Sequence, residues 1–417
     1  MEGGLRDGAH GSAQVGEVGL SFARQVLRGT QAQWGALAGV APVADGRVAT
    51  LARADERVAG MRRIDPDIVD GNWRYDSARE RERQSLTREI IDRVDPGPYE
   101  DPRFMAMLAR QAASVELAVR GGIGTRATTE ALERIIMGTT GEPRSEAYCA
   151  RVAAGVVVAV SAGMMEFLYQ SAKAVALSWP PTNPAAGYAQ GVSVLPERIE
   201  AALESDPYPI ELLRDTLTTW LYEGRPRAIH SRLPPAEVHA PITLLINGAE
   251  RFILAHEYGH ALIDHLGVLA PDAAVPGDCS EAWRREFAAD AFAVQAVVIS
   301  SRTLDRLPAN MGLLGAMLAM KACEIFDEAF LLSASTGDRP TAPAVSLSHP
   351  PFAQRRALLE TLYVARHDRN PTAARRDLPG MQAGSDTLDL LWARAAPEVA
   401  ASKAGRAPHP IWSAPSS

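Results

Sequence analysis

From Pro241 to His265 the chain carries Ile242, Leu244, Leu245, Phe252, Ile253 and Leu254 in an apolar pattern, with Pro241 where a helix tolerates proline in its first turn. The pattern predicts one long helix ending near Gly267. Phe252-Ile253-Leu254-Ala255 on one side and Ala261-Leu262-Ile263 on the other require that helix to be buried. Between them lies His256-Glu257-Tyr258-Gly259-His260. Buried imidazoles and carboxylates need partners, so any fold of this chain must bring polar groups or a metal ion to that segment.

Residues four apart share a helix face, so His256 and His260 can aim two ring nitrogens at one point. Glu257 flanks the same face, where it can accept a proton from metal-bound water without being a ligand. Gly259 permits another segment to approach closely. The pattern is short and also arises by chance, and the plain alternative is a pair of surface histidines. The chain has only nine histidines, and two at this spacing in an apolar helix weigh toward a metal. A third ligand is available at Glu286, which opens Glu286-Phe287-Ala288-Ala289-Asp290 on the next expected helix, about Ser280 to Ile299. Two His and one Glu leave a fourth position for water, as in catalytic zinc sites. Asp290, one turn on, can accept the distal N–H of His256 or His260 and fix its tautomer. Ala288 and Ala289 are small enough for close packing. Two alternatives stay open: Glu286 paired with Arg284 or Arg285, and Glu281 as the ligand.

These segments, followed by Ser348-His349-Pro350-Pro351 with Arg355 and Leu358, resemble in order the three blocks of HtpX/Ste24-type peptidases of the gluzincin group. The resemblance covers roughly residues 236 to 360. It implies a mainly helical catalytic unit, zinc (Zn2+) on His256, His260 and Glu286, and Glu257 as general base. The short gap from His260 to Glu286 and the pattern Glu286-x-x-Ala-Asp-x-Phe-Ala resemble ImmA/IrrE-type peptidases instead, a group that usually lacks the His-Pro-Pro block. His349 is the candidate donor to substrate or to a developing oxyanion, or else a residue that merely begins a helix. Tyr258 and Tyr363 are the next candidates. His265 reads as a helix-end residue, Cys279 as a free loop thiol, and Met311, Met317 and Met320 as core.

The expected fold class is mainly α, or α+β with a minor sheet: a helical gluzincin-like core behind an N-terminal helical region. Residues 1–85 read as a partly disordered N-terminal segment, 86–235 as a helical region, 236–365 as the metallopeptidase core and 366–417 as a tail. The boundary falls at Pro234-Pro235, and further helices are expected at Met311–Leu332, Pro351–Ala365 and Asp386–Ala395. Val192–Leu195 reads as a short strand, Gly121–Gly124 as a turn, and Val152–Met165 as a buried amphipathic helix too short to span a bilayer. The sign-alternating run Arg79–Arg83 reads as a solvated helix face. A net charge of −7 over 417 residues gives no reason to expect nucleic-acid binding. Three cysteines at wide spacing fit a reducing compartment. The sequence thus points to a cytoplasmic zinc metalloendopeptidase acting on a peptide or protein substrate, with no nucleic acid and no stable membrane insertion. The alternative is a catalytically silent metallopeptidase-like scaffold or regulatory module. Nothing in the sequence signals an oligomeric state.

Overall fold

Val156-Val157-Val158-Ala159-Val160 forms a buried strand, where the apolar run had read as helix. A continuous β-branched run buried on both faces lacks the alternation that marks a half-exposed strand, so periodicity alone does not separate it from a buried helix. The computed structural model describes residues 20–33, 42–56, 77–141, 147–183, 187–227, 231–272, 279–334, 349–366, 371–404, 406–409 and 412. The expected disordered start of the chain, residues 273–278 of the loop after Gly267, the Pro-rich stretch before His349 and Ser348 itself lie outside them.

Among the described residues the order is α1 (20–33), α2 (46–56), α3 (Ser77–Val94), α4 (Pro102–Ala118), α5 (Arg126–Leu132), β1 (Ile135–Thr140), β2 (Ala147–Val152), β3 (Gly155–Ser161) and α6 (Ala162–Ser178). Then come β4 (Pro181–Asn183), β5 (Gly187–Val192), α7 (Pro196–Ser205), α8 (Tyr208–Glu223) and α9 (His239–His260). The chain closes with α10 (Glu281–Thr303), α11 (Ala309–Ala334), α12 (Phe352–Ala365) and α13 (Pro371–Ala401). The fold is mainly helical with a minor sheet. β3 pairs parallel with β1 and antiparallel with β2, so β2 has a free edge among the described residues. The expected strand at Val192–Leu195 is displaced: β5 stops at Val192.

The metal-motif helix α9 is gripped from several sides. α11 crosses it through glycine, and a Cβ at Gly315 would collide with the Leu245 carbonyl and the Ala249 amide. α10 lies against its other end, where a Cβ at Gly259 would stand 2.8 Å from the Ala289 Cα. Gly259 and Ala289 therefore set the distance between the two candidate ligand helices. One hydrophobic cluster runs through these helices and back through α4, α6 and β3.

One surface expectation is overturned. In the run Arg79–Arg83, Glu80 and Arg83 are buried, because Glu80 binds Arg83 and Arg110 while Arg83 and Arg251 share Asp305, each at 2.7 Å. The partners come from α4, α9 and the end of α10, far away in sequence. The apolar stretch Ala309–Ser333 of α11 is long and apolar enough to cross a bilayer, and most of it is buried by neighbouring elements. α13 is longer than the Asp386–Ala395 expected, running through Pro379 and Pro397.

Candidate metal centre

α9 carries His256 and His260 on one face, and α10, started by Ser280 accepting from the Trp283 amide, brings Glu286 opposite them. His256 Nε2 and His260 Nε2 are 3.1 Å apart. Glu286 Oε2 is 3.4 Å from the first and Glu286 Oε1 is 3.4 Å from the second. Two atoms each about 2.1 Å from a tetrahedral ion stand roughly 3.4 Å apart, so these three side chains have the spacing of a ligand set. They form a His/His/Glu group that can hold a metal ion.

The outer faces of the two rings settle their tautomers. His256 Nδ1 lies 2.9 Å from Asp290 Oδ1, and His260 Nδ1 lies 2.7 Å from Asp264 Oδ2. Carboxylates only accept, so each Nδ1 carries a proton and each Nε2 turns a lone pair toward the other. The carboxylate of Glu286 faces the same point, and its buried Oε2 accepts no hydrogen bond. Three electron-rich groups converging on one point can share a cation between them. Without metal a proton serves instead. Burial lowers the affinity of His260 for it, but Asp264, Glu286 and the charge of Glu257 outweigh burial and raise the ring to about 10. Burial likewise opposes ionisation of Glu286, and the two imidazoles overcome it and hold the carboxyl far below the usual range.

Asp290 occupies its expected place and is fully buried. Arg355 of α12 donates to both of its oxygens, at 2.8 and 2.7 Å. The 3.3 Å approach of Arg355 Nη2 to His256 Nδ1 follows from their sharing Asp290 Oδ1 as acceptor. Glu286 does not pair with Arg284 or Arg285. Glu281 binds those two on the surface, which removes it from the cluster. His349 reaches the rim: its Nε2 is 3.6 Å from Glu286 Oε1, and its side chain is 59% exposed. Tyr258 points away, donating to Glu116 at 3.1 Å, and Tyr363 hydrogen-bonds Asp377.

Glu257 is buried beside the cluster with no hydrogen bond or ion pair among the described residues. Burial raises its carboxyl above the ordinary range, with His256 and His260 pulling the other way. Two residues escaped the sequence reading: Asp264, a visible i,i+4 partner of His260, and Arg355 as the clamp on Asp290. Comparison of the chain with protein-family models, with curated proteins and with solved structures finds no match.

The geometry ranks two carboxylates. Glu286→Ala should weaken zinc binding sharply, whereas Glu281→Ala should leave a chelator-competition titration unchanged. The opposite ranking would move the centre to the exposed start of α10.

Proposed function

We propose that this chain is a zinc-dependent peptidase of the gluzincin kind, working in the cytoplasm. The observation that carries the reading is the pairing of an engaged ligand set with an unengaged base. His256, His260 and Glu286 converge on one point, while Glu257 sits buried beside them with no partner among the described residues. The donor set of two imidazoles and one carboxylate suits zinc and leaves one position open. Bound there, zinc would acidify the attacking water and polarise the scissile carbonyl.

The chain's own residues supply the rest. Glu257 takes the proton of the attacking water and passes it to the leaving amine nitrogen. Asp290 and Arg355 hold His256 in the tautomer that keeps its Nε2 lone pair free. His349 stands outside the ligand set, near the open side. Burial, and then Arg355, lower the affinity of its ring for a proton against the opposing pull of Glu286, and an imidazole N–H donates one hydrogen bond to a carbonyl oxygen gaining charge whichever state it is in. β2 is an edge strand among the described residues, and Cys149 on that strand is near enough to Glu257 and Asp264 to feel their charge.

The direct test is cleavage of an unstructured polypeptide by zinc-loaded protein, abolished by a chelator and restored by zinc. In that assay His349→Ala should keep its zinc and lose about 10²-fold in kcat with little change in KM, the pattern of a transition-state contact. Unchanged kcat would return His349 to the role of a residue that begins α12. Zinc binding without any cleavage would favour the silent scaffold.

A further inference from the structure

We infer that Asp264 is the positioning residue for the second imidazole, and that strand β2 holds it in place through Arg151. The inference rests on the metal-centre reading above. It begins from an asymmetry between the two histidines. The support of His256 comes from another helix: Asp290 is fully buried and clamped by two bonds from Arg355 of α12. The support of His260 comes from its own helical segment, four residues on, where Asp264 Oδ2 stands 2.7 Å from Nδ1. The side chain of Asp264 is 16% exposed and has no partner other than His260 among the described residues.

The backbone of Asp264 is unusual in a way that bears on this. After His260 the helix widens into a π-turn, Ala261–His265, closed by the Leu266 amide on the Ala261 carbonyl at 2.9 Å. Single π-turns recur at functional sites because they re-aim side chains that a regular helix would send elsewhere. The Leu262 carbonyl accepts from the Val268 and Leu269 amides, which leaves the last carbonyl of the turn, that of His265, to a side chain. Arg151 of β2 supplies one, its Nη1 donating to the His265 carbonyl at 3.2 Å. The chain of contact is therefore β2, Arg151, the π-turn, Asp264 and the His260 ring.

The test uses full-length protein, zinc affinity by chelator competition, and the absorption bands of the cobalt-substituted protein. Asp264→Ala should weaken zinc binding by about 10–100-fold, the usual scale for a carboxylate behind a ligand histidine, and should shift the cobalt bands. Asp264→Asn keeps an oxygen that can accept the Nδ1 proton, so it should lose less and keep bands close to wild type. Arg151→Ala, which leaves every ligand and its carboxylate intact, should fall between wild type and Asp264→Ala in affinity. Wild-type affinity and wild-type bands in Asp264→Ala would overturn the inference while leaving the metal centre standing. Equal losses in the Ala and Asn variants with unshifted bands would reduce Asp264 to a structural role. A wild-type protein that takes up neither zinc nor cobalt would remove the metal reading itself.

Discussion

Glu257→Gln should retain its zinc and its fold and lose about 10²–10⁴-fold in turnover, the range that positioned proton transfer supplies. The substitution preserves shape and removes only the capacity to take up a proton. Its small structural cost follows from the surroundings: the Glu257 carboxylate holds no hydrogen bond or ion pair among the described residues, so no partner is orphaned. The burial that raises the Glu257 carboxyl also makes the neutral amide easy to accommodate. Zinc content and thermal unfolding measured beside the cleavage rate separate this outcome from a folding defect. Wild-type turnover in the Gln variant would contradict the role given to Glu257.

Arg355→Ala should cost about 3–5 kcal/mol of folding stability, the scale for stranding a buried charge. Asp290 is fully buried, and Arg355 is the cation that neutralises it from α12. Burial alone would raise the Asp290 carboxyl, but the charge and hydrogen bonds of Arg355, and then His256, hold it below the ordinary aspartate range. A depressed carboxyl contributes stability that is present at neutral pH and lost as pH falls through the acid range. Removing the guanidinium cancels that contribution and loosens His256, so zinc affinity should fall together with stability. Denaturant unfolding of the metal-free and zinc-loaded proteins checks both effects. A loss under about 1 kcal/mol would mean that the pair is as weak as an ordinary surface ion pair.

The ligand helices were legible because their chemistry is local. The four-residue spacing of His256 and His260 and the four-residue step from Glu286 to Asp290 each fix a face, and the structure sets those faces opposite each other. Gly259 and the small Ala289 foretold the close packing that makes this possible. A minor sheet was expected, but the place of the three-stranded one was not legible: β3 is a valine-rich run buried along its whole length, and β2 shows little alternation. Nor was the burial of Glu80 and Arg83, whose partners Arg110, Arg251 and Asp305 come from elements that only the fold brings together. His349 was read from its resemblance to the His-Pro-Pro block, and it lies at the rim of the cluster, outside the His256/His260/Glu286 group.

Metal content is the most direct check on the centre. Purified protein exposed to zinc and freed of excess should carry about one ion per chain, and His256→Ala and His260→Ala should each lose it, because two remaining ligands cannot hold zinc as three do. Full zinc in both variants, or none in the wild type, would contradict the centre on which the account is built.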